Sequence, residues 1–259
     1  MEALALTQVY TGTSYSALQE LNRALGETVR RQVAEIGRIT RLKRFLSPQI
    51  AETILNGENS NLFESHRREI TVVFLDLRGF TAFSDAGEPE EALELLRTYH
   101  AEMGKLIFKF DGTLERFAGD GIMVFFNDPT PYEDHTERAA RMALEMRDRA
   151  KELRAGWLKK GYDLDLGIGL AAGDAALGNI GFEGRMDYGA IGSVTNLASR
   201  LCGEAKGGQI LTNQKTLRRI ERLVEAEPVR EFRLKGFSRA VEGFNLLKMR
   251  EEKRAISEN

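Results

Sequence analysis

The stretch REITVVFLDLRGFTAF, residues 68–83, decides the fold of this chain. Residues 70–75 form a short, nearly continuous run of apolar and β-branched side chains, which predicts a strand buried on both faces. Asp76 follows at the strand's end, and residues 77–79 predict a tight connection to a helix. A carboxylate before a loop with free backbone N–H groups suits a metal ion that holds a phosphate. The alternative is an aspartate that caps the next helix.

Composition limits the class of protein. The chain has 259 residues, a net charge of −2 and 42% hydrophobic residues, enough for one large domain or one domain with an appendage. The near-neutral net charge gives no indication of a basic surface that would bind nucleic acid. The single cysteine, Cys202, excludes an internal disulfide and a thiolate metal site, and it favours a reducing compartment. Since no secretory signal and no membrane-spanning run of about 18 residues is present, we expect a cytoplasmic location without a membrane segment.

The N-terminal part predicts one long helix over residues 14–46, after a frayed or disordered segment over residues 1–13. Apolar residues recur at steps of three and four along it: Leu18, Leu21, Leu25, Val29, Val33, Ile36, Ile39 and Leu42. This narrow stripe favours a dimeric coiled coil, although Gly26 and Gly37 weaken the pattern. A helix packed on its own domain is the alternative.

A domain boundary is predicted near Ser47, which is a suitable N-cap before Pro48 at a first helical position. Residues 47–248 then form the main domain, and residues 249–259 are expected to be a mobile tail. A polar segment over residues 56–65 predicts a loop before the first strand.

The main domain predicts an α+β sheet with helices on one face. Residues 113–117 and 122–126 are two short strand candidates, and residues 118–121 between them predict a hairpin with Asp120 at its tip. Long helices are predicted over residues 89–110 and 132–158.

Asp76 and Asp120 are candidate metal ligands if the hairpin lies beside the first strand. Two carboxylates that share a site repel each other and have raised pKa values unless a cation lies between them. A pair of Mg²⁺ or Mn²⁺ ions would satisfy them, and a two-metal site can activate an attacking oxygen and stabilise leaving pyrophosphate. The pair alone is a weak signal, because solvated aspartates are common in turns.

Three segments together resemble the class III nucleotide cyclase family: FLDLRGFT, ERFAGDGIMVFF and AIGSVTNLASRL. The resemblance covers residues 68–247, and RFLSPQIAETIL resembles the linker that joins such domains to upstream sensors. It implies a ferredoxin-like α+β domain, with a central mainly antiparallel sheet and flanking helices, preceded by a coiled coil. A sensor domain upstream of the coiled coil is a possible partner.

The resemblance also implies roles for single residues. Asp76, Asp120 and the backbone carbonyl of Leu77 would hold two divalent cations, Mg²⁺ or Mn²⁺. The triphosphate would be bound by the following residues of the loop: Arg78, Gly79, Phe80 and Thr81.

A second set of residues would come from the other subunit of a head-to-tail homodimer, which would then have two sites. Asn196 corresponds to the asparagine that orients the ribose, and Arg200, one helical turn later, to the arginine that stabilises the transition state. Lys235 lies near the position of a lysine that contacts the phosphates.

The positions that select the base depart from the family pattern. Arg116 stands where adenylyl cyclases often have lysine and guanylyl cyclases glutamate, and Gly189 stands where aspartate or threonine is common. Arginine donates and cannot accept, and Glu115 should point to the opposite face of the strand unless the hairpin is bulged. Guanine would then lack an acceptor, so we expect ATP; GTP, a pyrimidine triphosphate and broad selectivity are alternatives. An alternative role for Arg116 is that of a surface residue that does not contact the base.

The sequence therefore predicts a cyclase that converts ATP to 3′,5′-cyclic AMP and pyrophosphate. The alternative is a dimeric module of the same fold that relays a signal without turnover. No histidine or cysteine nucleophile is needed, and His66, His100 and His135 are expected to be surface or packing residues.

Overall fold

The computed structural model describes residues 2–42, 47–56 and 64–251. The chain divides into two compact units, Met1–Ala51 and Glu52–Asn259. This division lies close to the boundary predicted near Ser47.

The first unit contains helix α1, Glu2–Leu42. The helix begins earlier than predicted, so the expectation of a frayed segment is wrong for residues 2–13. The physical reason is that this segment has no proline and starts with strong helix formers, EALAL. The predicted end over residues 43–46 lies outside the described residues. Helix α2, Pro48–Asn56, follows and has Pro48 at its start as predicted.

The apolar stripe of α1 lies open to solvent. Its exposed members are Leu18, Leu21, Leu25, Val29, Val33, Ile36 and Ile39. A continuous apolar stripe on an otherwise polar helix is the pattern by which helices pair in a coiled coil. The coiled coil itself stays a prediction.

The remaining elements form one sheet with helices against it. In chain order they are β1 His66–Arg78, α3 Phe80–Ala86, α4 Pro89–Lys109, β2 Thr113–Ala118, β3 Gly121–Phe126, α5 His135–Lys159, β4 Asp165–Phe182, β5 Arg185–Ile191, α6 Ser193–Glu204, β6 Ile210–Asn213, α7 Gln214–Ile220, β7 Val224–Phe232 and β8 Val241–Met249. The strand order is β2-β3-β1-β4-β6-β8-β7, with β5 paired to β4, and only β4 and β6 are parallel among these pairs. The predicted α+β class with a mainly antiparallel sheet is confirmed. Within the described ranges, no helix is long and apolar enough to cross a membrane.

Strand β1 is longer than predicted because it pairs with β4 along its full length, from His66 opposite Leu177 to Arg78 opposite Asp165. The ladder extends the strand beyond its apolar centre at both ends. Asp76 therefore lies inside β1, and residues 77–78 belong to the strand rather than to the connection. Gly79 makes the turn alone, with φ of 86°.

The two faces of β1 join separate cores. Val73 and Leu75 pack in the core that includes α4 and α5, whereas Val72 packs on the side of α6. The prediction of helices on one face is therefore wrong. Helix α6 fits closely against the other face because Gly169 has no side chain: a Cβ there would lie 2.1 Å from the carbonyl oxygen of Ala198.

The mobile tail was predicted to begin at residue 249, which is too early. Met249 ends strand β8, and the Nε of Arg250 donates to the carbonyl oxygen of Val224 over 2.8 Å. Residues 252–259 of the predicted tail and residues 57–63 of the predicted loop lie outside the described residues.

Candidate active site

Asp76 and Asp120 come together because β1 and β3 are neighbours in the sheet. Leu75 lies opposite Ile122, so the β2–β3 turn brings Asp120 to β1. The backbone N–H of Leu77 donates to Asp120 Oδ2 over 3.0 Å. Burial and the nearby Asp76 carboxyl, which is in hydrogen-bond contact, raise the pKa of Asp120 to about 6. The proximity predicted for the two carboxylates is thus present in the fold.

The donor set fits a divalent cation that also contacts a ligand. Among the residues that the structure describes, no group of three or more histidine, cysteine, aspartate or glutamate side chains could hold a metal. The Asp76–Asp120 pair supplies two carboxylates, so a cation held there would need further ligands from the backbone or from a bound molecule. Mg²⁺ is commonly held by one or two carboxylates together with phosphate oxygens of a substrate.

The Arg78 side chain contacts groups of its own protomer. It forms an ion pair with Asp76, donates to the carbonyl oxygen of Cys202, and donates from Nε to that of Ala205 over 2.7 Å. A cation at these carbonyls is favoured because they lie at the C-terminal end of α6. Gly167 provides the space: a Cβ there would lie 2.5 Å from Arg78 Nη2. The triphosphate role predicted for residue 78 would accordingly use its backbone.

The connection after β1 exposes backbone donors at the start of α3. Gly79 is in the left-handed region, and a Cβ at this position would lie 2.7 Å from the carbonyl oxygen of Asp163. Thr81 is exposed, while Phe80 is half-buried and its ring centre lies 6.0 Å from that of Phe83. No side chain caps α3, so the first N–H groups of the helix have no side-chain acceptor of this kind.

Asn196 and Arg200 lie one turn apart on the exposed side of α6. The opposite side of the helix carries its buried residues, which are Val194, Ala198, Leu201 and Cys202. Lys235, after β7, is exposed as well. In the described part of the chain, the side chains of Asn196, Arg200 and Lys235 have no hydrogen-bond or ion-pair partner. These three exposed groups are therefore available to contact a ligand or a second chain.

Glu115 lies between Arg116 and Gly189, although on a regular strand it would point to the other face. The β2–β3 register shifts between Leu114 and Arg116, so Glu115 lies in a bulge, which is the exception under which it need not point to the opposite face. Both Glu115 oxygens accept from Arg116, at 2.9 Å from Nε and 3.0 Å from Nη2. A Cβ on Gly189 would lie 2.7 Å from Glu115 Oε1. No sequence signal marked this bulge.

Asp128 is a second residue that the sequence interpretation missed. Its side chain is buried, and its Oδ2 lies 2.9 Å from both His66 Nε2 and Arg68 Nη1 of β1. The hydroxyl of Tyr188 donates to its other oxygen. Asp128 thereby ties β5, which contains Gly189, to the start of β1. The sequence offers only an Asp-Pro pair after a strand, a pattern that indicates the end of the strand and nothing about these contacts.

The histidines have structural contacts, as expected for packing residues. His66 contacts Asp128, His100 Nε2 lies 3.1 Å from the carbonyl oxygen of Gly119, and His135 Nδ1 lies 2.7 Å from Thr71 Oγ1.

Residues 63–248 match the family described as the adenylate and guanylate cyclase catalytic domain. Adenylate cyclase 1 of Rhizobium meliloti is 28% identical over 248 residues, which cover 90% of this chain and 37% of that protein. The adenylate cyclase of Anabaena cylindrica is 34% identical over 167 residues, which cover 63% and 33%. The chain thus spans about a third of the length of these relatives.

Solved structures are similar over the main domain. The adenylyl cyclase CyaB from P. aeruginosa is 37% identical, with a TM-score of 0.70 and coverage of 72% of this chain and 97% of that one. The guanylyl cyclase Cya2 is 34% identical, with a TM-score of 0.66 and coverage of 73% and 97%. A bacterial light-regulated adenylyl cyclase, at 20% identity and a TM-score of 0.71, shares the fold over 85% of this chain and 64% of that one.

Proposed function

Because this chain belongs to the adenylate and guanylate cyclase catalytic domain family, we propose that it converts ATP to 3′,5′-cyclic AMP and pyrophosphate at sites shared by two copies of the chain. The observation that carries this proposal is the contact between Asp76 and Asp120 beside an open loop, with Asn196 and Arg200 presented outward on α6.

Asp76, Asp120 and the carbonyl of Leu77 are proposed to hold two divalent cations, Mg²⁺ or Mn²⁺. When bound, such cations lower the pKa of a coordinated hydroxyl and neutralise phosphate oxygens. The raised pKa of Asp120 supports this role, because a cation between the carboxylates would remove the repulsion from Asp76. The backbone from Arg78 to Thr81 would bind the triphosphate.

The reaction forms a bond from the ribose 3′-oxygen to the α-phosphorus and breaks the bond from that phosphorus to the pyrophosphate oxygen. The 3′-hydroxyl proton is released. Arg200 from the partner copy is proposed to place its guanidinium against the charge that develops at the α-phosphate, which requires a fixed donor rather than a nucleophile. Asn196 would orient the ribose, and Lys235 would contact the phosphates.

ATP is the proposed substrate. Both relatives described above, from Rhizobium meliloti and Anabaena cylindrica, are named adenylate cyclases, and CyaB is named an adenylyl cyclase. The exposed group at the base-selecting position is the Arg116 guanidinium, whereas the Glu115 side chain is only 4% exposed. A donor without a free acceptor suits adenine N1 better than the two donors of guanine. GTP is the second candidate, because Cya2 is named a guanylyl cyclase at similar identity.

A second copy of the chain is the proposed partner. The β4–β5 hairpin exposes apolar side chains to solvent, with Ile180, Phe182 and Ile191 on one face and Met186 on the other. A surface of this kind on a domain marks an interaction site. The open stripe on α1 would add a coiled coil, through which an upstream sensor domain would set the relative angle of the two catalytic domains.

The first experiment is to incubate the full chain with each of the four nucleoside triphosphates in Mn²⁺ and to identify the products. We expect cyclic AMP and pyrophosphate from ATP. Formation of no cyclic nucleotide from any of them would contradict an enzymatic role and favour the non-catalytic module.

Shared sites are tested by mixing inactive variants. Asp76→Ala and Arg200→Ala should each lose at least about 10²-fold in activity, and their mixture should recover part of it because one complete site is restored. The matched control is a mixture of Asp76→Ala and Asp120→Ala, which damages the same half-site twice and should stay inactive. Recovery in the control, or none in the first mixture, would argue against sites of this composition.

A further inference from the structure

The ion pair between Glu115 and Arg116 differs from an ordinary surface pair. Neighbouring residues on a regular strand project to opposite faces, so the contact depends on the bulge at Glu115. The Glu115 side chain is almost fully buried, whereas that of Arg116 is 63% exposed. A buried carboxylate that accepts from one edge of a guanidinium fixes the plane of that group.

Gly189 makes this arrangement possible. A Cβ at residue 189 would lie 2.7 Å from Glu115 Oε1 and 2.9 Å from Cδ1 of Ile180. The carboxylate therefore occupies the space in which a side chain at position 189 would lie. The two departures from the family pattern, Arg116 and Gly189, therefore belong to one structural unit together with Glu115.

The donors that remain on Arg116 define what this unit can bind. Nε and Nη2 donate to Glu115, which leaves Nη1 and the outer N–H of Nη2 on the exposed side. These groups donate only. Glu115 also raises the pKa of Arg116, so the guanidinium stays charged.

We propose that Glu115 is the positioning residue for base recognition: it holds Arg116 so that the free edge of the guanidinium donates to N1 of adenine. This inference rests on the proposed function. The Glu115–Arg116 pair, which the β2 bulge brings together, would make the contact with adenine. Gly189 leaves room for the Glu115 carboxylate because it has no side chain.

The test compares ATP with 1-deaza-ATP, in which a C–H group replaces the N1 acceptor. The full chain is assayed in Mn²⁺ as wild type, Glu115→Gln, Arg116→Gln and Glu145→Gln. Glu145 is the matched control, because both its oxygens also accept from one cation, Lys109, on the surface of α4 and α5. Wild type and Glu145→Gln should prefer ATP by about tenfold or more in kcat/KM, as expected for a hydrogen bond from a charged donor.

In Glu115→Gln and Arg116→Gln the preference should fall to about twofold or less, mainly through a higher KM for ATP, since the contact is made in bound substrate as well as in the transition state. Gly189→Ser, which places atoms in the space of the carboxylate, should give the same loss. A thermal unfolding curve for each variant separates this effect from misfolding. Full preference in a folded Glu115→Gln variant, or no preference in wild type, would overturn the inference.

Failure of the proposed function gives a different result. If no nucleotide is cyclised, displacement of a fluorescent ATP analogue measures the same ATP to 1-deaza-ATP ratio as a ratio of affinities. A preference that depends on Glu115 would then support the inference for a module that binds without turnover. Absence of any nucleotide binding would overturn both.

Discussion

The backbone N–H of Leu77 donates to Oδ2 of Asp120 over 3.0 Å and ties the β2–β3 turn to strand β1. This bond holds the Asp120 carboxyl close to that of Asp76. The two carboxylates can be close because the strands that deliver them are neighbours, and their repulsion is the cost of that arrangement.

Binding of a divalent cation should therefore stabilise the fold through this pair. We expect Mn²⁺ to raise the thermal unfolding midpoint of the wild type relative to EDTA. Asp120→Asn should be more stable than the wild type in EDTA, because the like-charge repulsion is gone, and should gain little from Mn²⁺. Thermal unfolding with and without Mn²⁺ measures both effects.

Asp174→Asn is the control for this prediction, since Asp174 forms an exposed ion pair with Arg67 near the other end of the β1–β4 ladder. It should keep the full gain from Mn²⁺. An equal gain in Asp120→Asn would show that the ion stabilises the protein elsewhere.

The sequence predicted the carboxylate pair because both of its signals are local. A buried strand and a short hairpin are each contained within a few residues. The extent of β1 was not local, because its polar ends become strand only through pairing with β4. Strand β4 shows the same effect, because Gly173, a residue type that often interrupts strands, pairs with Ile70 inside one continuous strand.

The β2 bulge and the position of α6 were beyond the sequence for the same reason. A register shift exists only relative to a partner strand, so no residue type in β2 signals it. The face on which α6 packs depends on Gly169, whose missing side chain matters only once the helix is against it. Local pattern thus predicted the site's acids, whereas tertiary pairing decided that Arg78 contacts Asp76 and that Glu115 contacts Arg116.

Gly167→Ala should disturb the active site more than the fold. Gly167 lies opposite Asp76, and a Cβ there would lie 2.5 Å from Arg78 Nη2. The end of a flexible side chain can move away, so we expect a stability change within about 1 kcal/mol. The displaced Arg78 would no longer hold Asp76, and we expect a loss of activity of roughly tenfold or more. Cyclase assays and urea unfolding measure the two effects.

Gly104→Ala is the matched control, because nothing lies within 4 Å of a Cβ at this position in α4. It should keep full activity and gain about 0.5–1 kcal/mol from helix propensity. Full activity in Gly167→Ala would mean that the Arg78–Asp76 pair is not needed for catalysis.

Phe182→Ser should weaken the dimer. Phe182 lies at the end of β4 and is 70% exposed, with exposed Ile180 and Met186 on the same hairpin. If a second copy covers this surface, the variant should dissociate at higher concentration in sedimentation experiments, and its activity should recover as concentration rises. Phe108→Ser, which removes an exposed phenylalanine from α4, should keep the dimer. Unchanged dimerisation of Phe182→Ser would exclude the hairpin as a major contact.

The stripe of α1 should contribute to the same assembly. A chain that starts at Ser47 should form a weaker dimer, because it lacks the coiled-coil seam. Val33→Glu places a charge on the stripe and should have a similar effect, whereas Ala34→Glu places the same charge off the stripe and should not. If the shortened chain is equally dimeric and active, α1 is not a control element.

His135 should make stability depend on pH. It is buried at the start of α5, with Nδ1 2.7 Å from Thr71 Oγ1. Burial, and then the charge of Arg219, lower its pKa from 6.5, while Glu69 and Asp134 act in the opposite direction. As the pH falls, the unfolded chain therefore takes up the proton before the folded chain does.

The stabilising contribution of neutral His135 is thus complete above pH 6.5 and is lost progressively as the pH falls below that value. The free energy of unfolding, measured with urea at pH about 7.5 and about 5.5, should decrease more in the wild type than in His135→Asn, which does not titrate in this range. His100→Asn is a useful comparison, because burial also lowers the pKa of His100 and the variant should remove a separate part of the decrease. An equal decrease in wild type and His135→Asn would show that the buried imidazole does not control the acid limit of stability.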